Sequence, residues 1–534
     1  MNYSDDQELK PFKLPSFAGG YNSYVGGKST VDNKEFPYGQ NVVLTGNGSL
    51  TKVPGSNRFS PQLSAGHSIY GMGWLSNTTY NKAIGVSNTS WYDIETGNAL
   101  TGVTFTADKK THFCQAIDRL YGANNTDNLA YTTDGATITA VSSNGNVGDW
   151  PVYYNQRLYM TNAANPDRIY YSNPINATSS SYAVGDFGTF NTDLSSTPKK
   201  NAGFIILIPG GGVRITRLYL DNTSGTDYLY VYTKRHGIWR VTYAAVNTDG
   251  SIAHTITQVI TSSGTPAGDS VVKNANDQWF YDGENFTTYG EQAQFQNLRL
   301  GNKSARIKTE TESISSKPDV CGITYKSKIY YAYQTGSYND TLEIFDIPLN
   351  GWSSPIKGKN VSCFMVYEDS NGVERLLAGS SSESYVYELE TGSNDVSTAV
   401  NGFFECKSTD CGKPNLVKYF GFIDVGYALV YGTLNYEVFI DEVSSITGQV
   451  SLGNSQDKPA GLGSQPFGAF PVGAEYDPNT TFAYQAQNSF FPIDCNYAEG
   501  TKISVRFTNN QTGENFIIDN LTIWYLEGSI YTNR

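Results

Sequence analysis

Seven times along this chain an aromatic residue closes a strand-like run and is followed by a polar turn, at Tyr92, Tyr131, Tyr171, Tyr232, Tyr281, Phe345 and Tyr387. Most of the intervals lie near forty to fifty, and two, from Tyr171 to Tyr232 and from Tyr281 to Phe345, are clearly longer. A strand-built unit recurring at such a period cannot bury its apolar faces alone, and packing such units around an axis does so. The cadence therefore predicts a β-propeller of six to eight blades, seven being favoured.

Two distant copies align without gaps: residues 83–97 read AIGVSNTSWYDIETG and residues 378–392 read AGSSSESYVYELETG. Both end in aromatic, acid, aliphatic, Glu, Thr, Gly. Alternation up to a glycine that tolerates positive φ describes a strand entering a tight turn. Residues 278–288 and 342–352 are looser versions. Composition agrees, since 39 tyrosines, 53 glycines and a charged fraction of 16% favour strands and turns. No helical periodicity persists beyond about three turns. The expected class is all-β.

The repeat sets the domain plan. Residues 1–60, rich in Gly, Pro and Asn, read as an extended N-terminal arm. Residues 61–400 read as the propeller, with insertions near 174–203 and 290–320 where the intervals lengthen. Residues 401–534 read as a C-terminal β-sandwich or as strands that complete the last blade. There, 416–441 and 501–526 each read as a strand pair, and 452–480 is turn-rich. The 290–320 insertion carries Arg299, Lys303, Arg306 and Lys308, a basic cluster able to meet DNA or an acidic partner. Glu310 and Glu312 follow at once and favour a solvated surface loop or short helix.

Net charge is −13, which opposes tight binding of nucleic acid through phosphate neutralisation. The same acidity suits a conduit through which DNA slides without sticking. MNYSDDQELK has no basic stretch leading into an apolar core, and no apolar run reaches about 18 residues, so neither secretion nor a membrane-spanning segment is expected. Cys114, Cys321, Cys363, Cys406, Cys411 and Cys495 are scattered, as for buried thiols in a reducing compartment. Cys406 and Cys411 sit close in CKSTDC with no histidine beside them, so no metal site is expected.

Motifs for chemistry are sparse, and no catalytic residue, cofactor site or metal ligand is assigned. His67, His112, His236 and His254 lack ligand spacing and read as isolated surface or turn residues. The glycines of 209–214, PGGGVR, lack the Lys-Ser/Thr of a phosphate loop and read as a tight turn. Asp134-Gly135 lacks the spacer and terminal aromatic of a sialidase Asp-box and reads as a hairpin turn. The pairs Trp91-Tyr92 and Tyr330-Tyr331 offer rings for sugar stacking, but strand alternation sends one of each pair into the core.

The N-terminal residues bring in a resemblance. FAGG at 17–20 and NVVLTGNGSLTKVPG at 41–55 resemble the opening of bacteriophage tail nozzle proteins of the tail tubular protein B type, carried here by Gly19-Gly20, Asn41, Gly48-Ser49-Leu50, Lys52 and Pro54-Gly55. Val53-Pro54 stands where that family has Arg-Pro. A second likeness runs through 376–389 into Lys407, Asp410, Gly412, Pro414 and Lys418, where virion propellers pass into a terminal β-domain. Together the segments cover a small part of the chain.

The resemblance implies a structural, non-enzymatic virion protein, assembled in the host cytoplasm into a sixfold ring of this chain below the portal. Such a ring lines and gates the DNA exit channel, with adaptor and tail fibre proteins as neighbours. A receptor- or glycan-binding tail protein and a glycoside hydrolase are the alternatives. The first expects exposed aromatics on one face, and the second two convergent carboxylates.

Overall fold

A computed structural model describes residues 8–530, apart from 24–27, 142–146, 173–202, 209–211, 222–226, 247–251, 275–276, 293–296, 428–431 and 453–488. The described strands form seven antiparallel blades, two further sheets, and a two-stranded parallel bridge between Gly20–Tyr21 and Glu35–Phe36. Each cadence aromatic lies in a different blade. The blades begin at Gly71–Ser76, His112–Ala116, Asp149–Tyr154, Ile215–Asp221, Val272–Asn274, Cys321–Tyr325 and Val361–Glu368. These first strands touch their neighbours around a central axis and form the channel wall.

Blade faces are buried on both sides, so apolar residues run consecutively instead of alternating. Tyr330, Tyr331, Ala332 and Tyr333 are each at most 1% exposed. Between successive blades lie separate apolar clusters; Trp91, for example, stacks on Phe105 at 5.3 Å and meets Phe113 of the second blade edge-on at 4.9 Å. Both members of the Tyr330-Tyr331 pair are core residues, as is Trp91. At Asp134 the chain turns between Ala130–Thr132 and Thr139–Ala140, and the carboxylate accepts the Ala136 and Thr137 amides at 2.8 Å. Both turns that end the matched copies use glycine at positive φ, 75° at Gly97 and 65° at Gly392.

Ring closure comes from the N-terminal side. Ser56–Arg58 pairs antiparallel with Val386–Leu389 and supplies the seventh blade with a strand from the opposite end of the repeat region. Because this strand leads directly into the first blade, the pairing fastens the first and last blades together and closes the ring.

The two remaining sheets form the sandwich. One has the order Ser489–Gly500, Leu416–Tyr427, Ile517–Ile530, Leu50–Lys52, Val42–Leu44, with Lys10–Leu14 also paired to Ile517–Ile530. The other runs Tyr38–Gln40, Gly402–Glu405, Ile503–Asn509, Gly432–Ile440, Val443–Leu452. Residues 1–60 were expected to form an arm, yet strands from 10 to 52 are built into both sheets. Strands as short as Val42–Leu44 cannot show a period, so their Gly- and Asn-rich flanks dominate the reading. The strand pairs expected at 416–441 and 501–526 are also redistributed. Leu416–Tyr427 and Gly432–Ile440 lie in opposite sheets, as do Ile503–Asn509 and Ile517–Ile530. A hairpin and a sheet-to-sheet crossing share the same sequence signature of two strands and a turn.

The longer intervals have different origins. In the third blade, 173–202 falls between Asn165–Tyr171 and Gly203–Ile206, so nearly all of the expected 174–203 insertion lies outside the described residues. The turn-rich stretch from 453 and residues 209–211 of the PGGG turn lie outside them too, while Gly212 sits at φ +56°. The second insertion is different: Phe286–Gln292 and Asn297–Asn302 are outer strands of the fifth blade, and only the following residues, with the helix Lys308–Glu312, form a connection.

Candidate functional site

Two places concentrate buried polar groups: the propeller channel and the joint between propeller and sandwich. The channel encloses a cavity of about 670 Å³, with all seven blades contributing to its wall. In the third blade, Pro151 has no N–H to give the ladder, and pairing with Arg157–Asn162 is irregular between Asp149 and Val152. Trp150 sits in that irregularity at φ +53° and lines the channel.

Around Trp150 the charged side chains of several blades meet. His112 stacks on its ring, centroids 3.5 Å apart. The His112 Nδ1 lies 2.5 Å from Asp149 Oδ1, and its Nε2 lies 3.3 Å from Asp269 Oδ1. Lys110 pairs with the other oxygen of Asp269. Arg217 donates from Nη1 to the Gly268 carbonyl at 2.7 Å and lies over the rings of Trp150 at 4.9 Å and Tyr219 at 5.3 Å. Gly268 is required here, because a Cβ would meet Trp150 Cζ2 at 2.5 Å.

Burial alone would lower the His112 pKa, but Asp149 and Asp269 overturn that and raise it to about 9. Burial likewise opposes ionisation of Asp269, yet Lys110 and His112 hold its carboxyl well below the usual range. Three cysteines share the channel wall. Burial pushes Cys114 up to about 12 and Cys363 to about 11, and raises Cys321 as well, so all three are protonated, weak nucleophiles at neutral pH. Among the described residues, no group of three or more His, Cys, Asp or Glu side chains is arranged to hold a metal.

Two of the four histidines, His112 and His254, differ from the sequence reading. His112 is a cross-channel tie, and His254 is packed against Tyr171 with its Nε2 3.0 Å from the Tyr159 hydroxyl. His67 pairs with Asp108 at 2.8 Å, and His236 lies in a turn. The channel cluster escaped the sequence because its members come from separate blades. One signal was available: His112, Asp149 and Arg217 each stand one or two strands upstream of a cadence aromatic, on the first strands of successive blades.

At the joint, the residues that carried the nozzle resemblance meet. Gly20, at φ +77°, leaves room for the Trp352 carbonyl, which a Cβ would approach to 2.6 Å. Asn41, at φ +56°, donates from Nδ2 to the Asn401 carbonyl at 2.8 Å and accepts the Lys357 amide at 2.8 Å. Lys52 is fully buried and donates to Asn509 Oδ1 at 2.8 Å. Burial lowers its pKa to about 8. Gly55 passes against the Asn394 backbone with no space for a side chain. Lys418 is buried and donates to the carbonyls of Lys413, Leu416 and Thr501 at 2.7–2.9 Å, fixing the passage into the sandwich.

The basic cluster of 290–320 also belongs largely to this joint. Arg306 pairs with Glu35 at 3.1 Å and donates to the Gly19 carbonyl at 2.9 Å. Lys303 lies over the Trp279 and Phe345 rings at 5.6 and 5.9 Å. These two are structural ties rather than parts of a solvated loop. Lys308 and Glu312 are exposed, 3.6 Å apart, and the Arg299 side chain lies outside the described residues.

No protein-family model matches the chain, and no curated protein does. Among solved structures, YCF48 from Cyanidioschyzon merolae is similar over 62% of this chain and 98% of its own, at 11% identity and a TM-score of 0.34. BamB from Moraxella catarrhalis is similar over 63% of this chain and 97% of its own, at 10% identity and a TM-score of 0.35. Chaetomium thermophilum Raptor is similar over 63% of this chain and 29% of its own, at 10% identity and a TM-score of 0.38. The strand pairing of this chain defines its class by itself: a seven-bladed β-propeller joined to a β-sandwich that both ends of the chain build together.

Proposed function

We propose that this chain is a structural protein of a phage tail, forming a sixfold ring below the portal and adaptor that lines the DNA exit channel. The observation that carries the reading is the joint. One apolar cluster runs without a break from Trp279, Tyr331 and Trp352 of the fifth and sixth blades, through Phe17, Phe36 and Val42, into Ile423, Val505 and Phe507 of the sandwich. A continuous core across two domains resists hinge motion, as a pressure-bearing wall requires. Some of the residues that resemble the nozzle family, Gly20, Asn41 and Lys52 among them, lie at this joint.

The channel supports the non-enzymatic part of the reading. Asp269 is held ionised between Lys110 and His112 and so does not serve as the protonated general acid that a glycosidase needs. The exposed tyrosines Tyr38 and Tyr497 lie on strands of opposite sandwich sheets and Tyr80 and Tyr338 in turns of the first and sixth blades, which does not favour the glycan-binding alternative. Among the described residues, no helix is long and apolar enough to cross a membrane.

Light scattering of the purified protein tests the ring, and titration with duplex DNA at low salt tests the conduit. The proposal expects a sixfold assembly and weak DNA binding. A monomer at high concentration, or tight DNA binding, would overturn it.

A further inference from the structure

We infer that the propeller channel binds a small free oxyanion of the sulfate or phosphate class at Arg217. The argument starts from charge. The cluster around Trp150 holds three cationic side chains, Lys110, His112 and Arg217, against two carboxylates, Asp149 and Asp269. Lys110 and His112 share Asp269, and His112 also takes Asp149. Lys273, on the same wall, is matched by Asp221. Arg217 forms no ion pair among the described residues, and Asp269 acts on it only at longer range. One positive charge is thus left over inside a protein of net charge −13.

Hydrogen bonding makes the same point. A guanidinium carries five N–H donors, and among the described residues Arg217 makes one hydrogen bond, to Gly268. Its Nε is buried without an acceptor. The Tyr331 hydroxyl, within electrostatic reach of Arg217, is also buried without a partner. Leaving a cation and its donors unmatched in a narrow, partly desolvated space is costly. A tetrahedral oxyanion supplies the missing charge and accepts two parallel bonds from the guanidinium fork. The cavity of about 670 Å³ is ample for such an ion.

Isothermal titration of the purified protein with sodium sulfate, at ionic strength held constant with chloride, tests the assignment. One site per chain is expected. Arg217→Met keeps an unbranched side chain but removes the guanidinium, and should weaken binding at least about tenfold. Arg217→Lys, which keeps the charge but loses the fork, should weaken it less and guards against a failure of the methionine variant to fold. Absence of binding to the wild type at millimolar sulfate, or equal binding by the folded variants, would overturn the inference. A short single-stranded oligonucleotide should not displace sulfate; displacement would assign the channel to a nucleic-acid backbone and overturn the small-ion reading.

Discussion

His254 is a half-buried base whose charge state changes on unfolding in mild acid. Burial lowers its pKa to about 4, against an ordinary value of 6.5. Below pH 6.5 the unfolded chain binds a proton that the folded chain refuses until about pH 4. This histidine therefore costs stability as pH falls through that window, up to roughly 3 kcal/mol. His254→Phe should flatten the loss when denaturant midpoints of variant and wild type are compared across the window, and an unchanged slope would contradict the assignment. Val396 carries strain of another kind. It is β-branched, 41% exposed, and held at φ +59°. Val396→Asn should raise stability by about 1 kcal/mol, read as a higher Tm. A lower Tm would show that the valine side chain outweighs its backbone. Residues of this kind were not legible in the sequence. A histidine or valine letter carries no record of the partners that another blade brings to it, whereas Asp134 could be read because its turn is made by its immediate neighbours.

The blade was the most legible element. Each cadence aromatic marks one blade because a strand ending in a large ring beside an Asx- or Gly-stabilised turn is a local pattern. The marks are not equivalent, however. Tyr92, Tyr131, Tyr171, Phe345 and Tyr387 lie on third strands, whereas Tyr232 and Tyr281 lie on second strands. Part of the long interval from Tyr281 to Phe345 is this shift in strand position and not an insertion. The closing strand Ser56–Arg58 was hidden, since its partner Val386–Leu389 lies at the far end of the repeat region and so short a strand shows no period. Gly55→Ala places a Cβ against the Asn394 backbone beside that strand. The expected cost is about 1–3 kcal/mol, with faster amide exchange concentrated in Ser56–Arg58 and Val386–Leu389. Exchange that rises evenly over all blades would contradict a local closure.

At the scale of the whole molecule, the central claim is that rigidity is the function. The sequence offered a repeat and a separate arm. The structure weaves that arm into the sandwich and the seventh blade, so the two ends of the chain fasten both domains together. No local signal could have shown this, because the pairings that fasten the ends join residues from opposite ends of the sequence. Around the channel Lys110, His112 and Lys273 are matched by carboxylates, whereas Arg217 has no ion pair among the described residues. Electron microscopy of the purified protein, and of virions that carry it, tests the claim most directly. The account predicts sixfold rings on the tail axis below the portal, with propeller and sandwich in one fixed relation in every subunit. Monomers, peripheral trimers, or subunits in which the two domains adopt several relative orientations would contradict it.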